Sequence, residues 1–116
     1  MSSSFQFPAL LTSVKLNLKI SSFAELIPFL KGLPKLQKLN IINWLNVEES
    51  METSWFQLIT EYLPVLIEFK LTSSVASENV IVYLQSFRWS NTWHMQEKII
   101  GIRASSTLIK ILLSKL

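Results

Sequence analysis

The chain has 116 residues, of which 49% are hydrophobic and 16% are charged. This length fits a single domain, and the apolar balance predicts a packed core rather than disorder. The chain has no Cys, no Asp, one His and two Gly, which excludes disulfides, thiolate zinc sites, Cys nucleophiles and Gly-rich phosphate loops. The net charge of +3 comes from scattered basic residues and slightly favours acidic partners.

Apolar periodicity and the signals that begin and end helices predict the secondary structure. Ser22 and Ser54 each precede a Glu or Gln by three residues, the capping-box pattern that begins a helix. The pairs Leu33-Pro34 and Leu63-Pro64 end these two helices, because Pro lacks an amide hydrogen. In chain order the prediction is strand 14–20, helix 22–31, strand 36–42, loop 43–53, helix 54–63, strand 66–72, helix 77–87, a weak strand 97–103 and helix 106–116.

An internal repeat organises this series. Residues 33–41 recur as residues 63–71 with the shared pattern Leu-Pro-x-Leu-x-x-Φ-x-Φ, where Φ is apolar. In a looser upstream copy, Leu16 and Leu18 stand where the first unit has Leu39 and Ile41. Alternating strands and helices predict parallel strands, and units too small to bury their own apolar faces predict stacking into a solenoid. We therefore expect an α/β solenoid over residues 1–116, with about three to four units, short parallel strands on one side and helices on the other.

The strand pattern at residues 36–41 and 66–71 resembles the leucine-rich repeat. The longer Leu-Pro-x-Leu form, together with the Ser-Φ-x-Glu/Gln-Leu-Ile helices, is similar to the repeat region of F-box-type leucine-rich-repeat proteins over most of residues 10–103. Three positions that hold Asn or Cys in that family here hold Ser21, Trp44 and Ser74, and no F-box is visible at the N-terminus. The resemblance implies a non-catalytic protein-interaction module that recognises substrates for a ubiquitin ligase, as a fragment of a longer array or a diverged paralogue.

The resemblance also implies a concave binding surface, formed by the strand side chains that point away from the core. We expect these side chains to form three rows that bind an acidic segment of a protein partner, and Arg103 could extend the third row. The same residues also fit ordinary solvated strand positions, where charge suppresses edge pairing. The three rows are Lys15, Lys38 and Glu68; Asn17, Asn40 and Lys70; and Lys19, Ile42 and Thr72.

Other functions have weaker support in the sequence. His94 has no Asp or Cys beside it, so we expect neither a catalytic site nor a metal site, and no cofactor. The alternative function is a small basic α/β protein that binds nucleic acid, with Trp89 and Trp93 stacking on bases. The apolar segment 106–116 reads as a last stacked helix or a membrane-surface helix, and a bare face there would make the chain self-associate.

No part of the sequence has the pattern of a membrane span or a signal peptide. The longest uncharged stretch, residues 1–14, is shorter than the roughly 20 apolar residues that a span needs. No Lys or Arg precedes Lys15, whereas a signal peptide begins with positive charge. We therefore expect an intracellular protein, cytoplasmic or nuclear.

Overall fold

A computed structural model of the chain describes residues 12–17, 23–44, 55–89 and 92–116. Residues 18–22 and 45–54 lie outside this set, so the capping boxes at Ser22 and Ser54 and most of the predicted loop 43–53 do too. The described elements are β1 (Ser13–Asn17), α1 (Phe23–Lys31), β2 (Lys38–Trp44), α2 (Trp55–Tyr62), β3 (Glu68–Ala76), a 3₁₀ turn (Ser77–Asn79), α3 (Val80–Gln85), β4 (Trp93–Ile102) and β5 (Ser106–Lys115).

The five strands form one mixed sheet in the order β1-β2-β3-β5-β4. Strands β1, β2 and β3 are parallel, and α1 and α2 connect them in the way that parallel neighbours require. The last two strands form an antiparallel hairpin, and β5 is inserted between β3 and β4. This hairpin therefore extends the sheet beyond β3, and β4 is the last strand on that side.

The two sequence repeats adopt the same local geometry. The amide of Leu36 donates to the carbonyl of Leu33 at 3.1 Å, and that of Leu66 donates to Leu63 at the same distance. Both are reverse turns with Pro at the second position, where its fixed φ is already suitable. The 30-residue offset also sets the strand register, because Leu39 pairs with Phe69.

The predicted leucine-rich-repeat-like solenoid is wrong. A solenoid would continue with further parallel units beside β3, but β5 occupies that edge and runs antiparallel to β3. The predicted helix 106–116 is strand β5, and the predicted weak strand 97–103 is part of the longer β4. The terminal helix that was expected to leave a bare face for self-association therefore does not exist.

Strand β5 has a two-residue period that its apolar composition conceals. Its buried positions are Thr107, Ile109, Ile111 and Leu113, three of them β-branched and suited to a pleated surface. Between them, Leu108 and Leu112 are half-buried on the other face, so the segment reads as almost continuously apolar. Such a run cannot be assigned from periodicity alone, and here pairing on both sides makes it an inner strand.

The core lies between the helices and one face of the sheet. The side chains of Leu33, Leu36, Leu63 and Leu66, which form the repeated turns, are at most 1% exposed. At one end of this core, Phe23, Trp44 and Trp55 pack with ring centroids 4.7–5.2 Å apart. Trp44 reaches the core because the register shifts between Ile41 and Trp44, where β2 contains one extra residue.

Candidate binding face

The sheet has one face covered by helices and a second face that no described helix covers. Along β1, β3 and β5 the buried side chains alternate with exposed or half-buried ones, as expected when only one face packs on a core. We call the second side the open face. Its side chains include Ser13, Lys15, Asn17, Lys38, Asn40, Ile42, Glu68, Lys70, Thr72, Ser74, His94, Gln96, Lys98, Leu108, Lys110, Leu112 and Ser114.

Each of the five strands contributes one lysine to the open face. They are Lys15 on β1, Lys38 on β2, Lys70 on β3, Lys110 on β5 and Lys98 on β4. Among the described strand residues, Glu68 is the acidic side chain that the register places on this face, and Glu97 borders it at β4. Because like charges on one surface add to a common potential, the open face attracts anions.

The strand register shows which of the expected site residues lie side by side. Lys38 pairs with Glu68, and Asn40 pairs with Lys70, as the 30-residue repeat predicts. Strand β1 is displaced by two residues from the predicted alignment, so that Lys15 pairs with Asn40 instead of with Lys38. A shift of two keeps every side chain on its predicted face, because the side-chain period of a strand is two.

The remaining expected residues have different positions. Asn17 pairs with Ile42, and Thr72 lies opposite Lys110 on the neighbouring β5. Lys19 lies outside the described residues. Arg103 does not extend a row, since it lies in the turn between β4 and β5, where its amide donates to the carbonyl of Ser106 at 2.8 Å.

A shallow groove of about 230 Å³ runs over β1, β2 and β3 on the open face. Three of the five lysines, Lys15, Lys38 and Lys70, border it. Its other polar side chains are Ser13, Asn40 and Glu68. The groove therefore gathers five of the nine expected binding residues into one concave site.

A second, larger groove of about 550 Å³ lies over β4 and β5. Its lining residues are Gln96, Glu97, Lys98, Lys110 and Leu112. Sequence reasoning missed Lys98 and Lys110 because it assigned their segments to a weak strand and a helix. The alternation of buried residues along β5 would have placed Lys110 on the same face as Lys70.

The aromatic side chains of the described strands lie away from the open face. Trp44 and Phe69 are buried in the core, and Trp93 packs against it from the start of β4. Trp89 also packs against the core, and its ring centroid lies 5.4 Å from that of Phe56 and 5.1 Å from that of Trp93. The open face, as far as the structure describes it, thus lacks the aromatic platform on which single-stranded bases stack.

Neither a metal centre nor a membrane-spanning helix is found in the described ranges. No group of three or more His or Glu side chains there could hold a metal ion, and exposed His94 lies opposite Ser114 on the sheet. None of the described helices has the length and apolarity to cross a bilayer.

The chain was compared with protein-family models, curated proteins and solved structures, and none of the three comparisons found a match.

Proposed function

We propose that this chain is a non-catalytic protein-interaction module whose open face binds an acidic segment of a protein partner. The observation that carries the proposal is the placement of one lysine on every strand of that face, against Glu68 on the face and Glu97 at its β4 groove. Half-buried Ile42, Leu108 and Leu112 add apolar contact area between the charges. Electrostatic complementarity would then orient the partner, and the apolar positions would contribute burial.

The dimensions of the sheet define the size of the bound segment. Strands lie about 4.8 Å apart, so a peptide crossing all five strands covers roughly 19 Å. An extended chain advances about 3.3 Å per residue, so roughly six residues span the face. About three acidic residues, at alternate positions of such a peptide, would face the sheet and its lysines.

Nucleic-acid binding is the second candidate, supported by the same positive charge. The lack of aromatic side chains on the described open face favours an acidic peptide over stacked bases. Substrate recognition for a ubiquitin ligase, which the leucine-rich-repeat resemblance implies, stays a prediction, and the acidic-segment proposal does not depend on it.

Charge reversal on the open face tests the proposal. The probe is a fluorescent peptide of alternating Glu and Ser, long enough to cross the sheet, and binding is followed by anisotropy. The double variant Lys38→Glu/Lys70→Glu should lose about tenfold or more in affinity, because each exposed attraction is worth up to about 1 kcal/mol and is replaced by repulsion. The control Lys35→Glu/Arg88→Glu makes the same charge change outside the strands and should bind more tightly than the open-face variant.

The circular dichroism spectra of both variants should match that of the unmodified chain, because all four side chains are exposed or half-buried. The melting temperature of the open-face variant should fall slightly, because Lys38→Glu places a carboxylate opposite Glu68. Equal loss of affinity in the two double variants would mean that net charge alone drives binding, and the proposal would be wrong. Tighter binding of single-stranded DNA than of the peptide would favour the nucleic-acid function instead.

A further inference from the structure

Lys98 and Lys110 lie directly opposite each other on the antiparallel strands β4 and β5. Side chains at such positions have Cβ atoms about 5 Å apart, and like charges there destabilise the sheet. The pair therefore places two positive charges side by side, and Glu97 is the acidic residue that lines the groove with them.

Hydrogen-bond donors surround this pair on the same face. Gln96, two residues before Lys98, lines the 550 Å³ groove with both lysines, and Leu112 provides an apolar wall. Thr72 lies opposite Lys110 on the other side, so a hydroxyl extends the same row. A ligand held between the two ammonium groups would thus also reach the Gln96 amide, and a longer ligand would reach Thr72.

We propose that this groove binds a phosphate monoester, carried by a phosphorylated serine or threonine in the acidic segment of the protein partner. The inference rests on the function proposed above and specifies which acidic group occupies β4 and β5. A phosphate monoester carries a charge of about −1.5 to −2 at neutral pH and has three acceptor oxygens. This charge nearly neutralises both lysines, whereas the single negative charge of a carboxylate neutralises one of them.

Glu97 has the opposite charge to the two lysines, so replacing it should have the opposite effect on phosphopeptide affinity. It lines the same groove, although its pairing partner Ile111 belongs to the covered face. Its carboxylate repels a bound phosphate, so Glu97→Gln should strengthen phosphopeptide binding. A role for the lysines in folding alone would not produce this increase.

The experiment compares three Glu-Ser peptides that differ at one central position, which is phosphoserine, Ser or Glu. The unmodified chain should bind the phosphopeptide about tenfold more tightly than either of the others. Lys98→Gln and Lys110→Gln should each remove that preference, whereas Lys35→Gln, which changes a lysine in the turn before β2, should leave it intact. Affinity for the Ser peptide should change much less in all of these variants.

A second readout does not depend on the peptides. Inorganic phosphate should raise the melting temperature of the unmodified chain, relative to chloride of equal ionic strength, by more than that of Lys98→Gln/Lys110→Gln, because the general stabilising effect of phosphate acts on both. Removing one or both of the opposed positive charges relieves their repulsion and should not unfold the sheet, so the variants remain testable.

Three outcomes would overturn the inference. Equal affinity for the phosphoserine and Glu peptides would show that the groove accepts any carboxylate, and the proposed acidic-segment function would stand without the phosphate. Equally tight binding of single-stranded DNA would show a phosphate site without a protein partner. If none of the three peptides binds, the proposed function fails together with the inference.

Discussion

The hydroxyl groups of Ser73 and Tyr83 lie 2.7 Å apart and form a buried hydrogen bond between β3 and α3. Both side chains are at most 1% exposed. Ser73 occupies a core-facing position of β3, between Leu71 and Val75, where a hydroxyl needs a partner. The bond fixes the short helix α3 to the sheet.

Breaking this bond on one side should destabilise the fold. Ser73→Ala leaves the Tyr83 hydroxyl buried and unpaired, and Tyr83→Phe does the same to Ser73, each at a cost of about 1–3 kcal/mol in the free energy of unfolding. The double variant should cost less than the sum of the two, because no unpaired hydroxyl remains. Urea unfolding measures all three, and strictly additive costs would argue that the two groups do not interact.

Tyr83 should also make stability fall at alkaline pH. Burial raises the pKa of Tyr83 far above its ordinary value of 10.0, and the hydrogen bond with Ser73 lowers it only in part. The unfolded chain therefore releases the proton first, so the stabilisation is complete below pH 10 and declines as the pH rises above it. Unfolding free energies between pH 9 and pH 11 should fall more steeply for the unmodified chain than for Tyr83→Phe, and parallel pH profiles would contradict this account.

The repeated strand positions should be intolerant of charge. Leu39 and Phe69 are paired neighbours, at most 1% exposed, so Leu39→Asp or Phe69→Asp would bury an unpaired carboxylate and should unfold the chain. Ile102 is 76% exposed, and Ile102→Asp should change the free energy of unfolding by no more than about 0.5 kcal/mol. Circular dichroism distinguishes these cases, and a folded Phe69→Asp variant would show that the core is assigned wrongly.

The sequence predicts the first three strands well because the repeat indicates both where the strands lie and which of their residues pair. Lys38 and Glu68 are 30 residues apart in the repeat and pair directly in the sheet. The upstream copy is less regular, and matching Leu16 to Leu39 misplaces β1 by two residues, since Leu16 pairs with Ile41. The open-face residues of β1 are nevertheless predicted on the correct side, because a register error of two residues keeps each side chain on the same face of the sheet.

The predicted helix 77–87 is confirmed as the 3₁₀ turn and α3, whereas the arrangement of the last two strands is mispredicted for a physical reason. A solenoid follows from local periodicity only if each new unit stacks on the previous one, and nothing in residues 63–71 specifies what lies beside β3. The pairing of Leu71 with Ile111 is a long-range contact between dissimilar segments. Half-buried Leu108 and Leu112 conceal the strand period, so the lysine groove of β4 and β5 could not be predicted with the rest of the open face.

A designed disulfide tests the position of β5. The chain has no Cys, and Ser74 lies directly opposite Leu108 on the open face. Ser74→Cys/Leu108→Cys should form an intramolecular disulfide, since directly paired residues lie within the Cα separation of about 4.4–6.8 Å that this bond needs. Free-thiol assays and gel mobility under non-reducing conditions detect it.

The matched control for this disulfide keeps the cysteine on β3 and moves the other cysteine from β5 to β4. Gly101 is the partner of Leu108 on β4, so it is two strand spacings, about 9–10 Å, from Ser74. Its position has open space for a side chain, and Ser74→Cys/Gly101→Cys should keep both thiols free. Cross-linking of the second pair in preference to the first would contradict the strand order.

Salt should weaken binding to the open face in a graded way. The five lysines are exposed or half-buried, and the Debye length falls from about 10 Å at 0.1 M salt to about 3 Å at 1 M. Affinity for the Glu-Ser peptide should therefore decrease steadily as NaCl is raised, as anisotropy titrations would show. Salt-independent affinity would indicate that the apolar positions, rather than the lysines, hold the peptide.

The most direct test of the binding face is an NMR titration of the isotope-labelled chain with the Glu-Ser peptide. Amide signals should shift in a saturable way on all five strands around Lys15, Lys38, Lys70, Lys98 and Lys110, while the signals of α1 and α2 stay in place. Saturable shifts confined to the helices, or no shifts at a peptide concentration that saturates the anisotropy signal, would contradict binding at the open face.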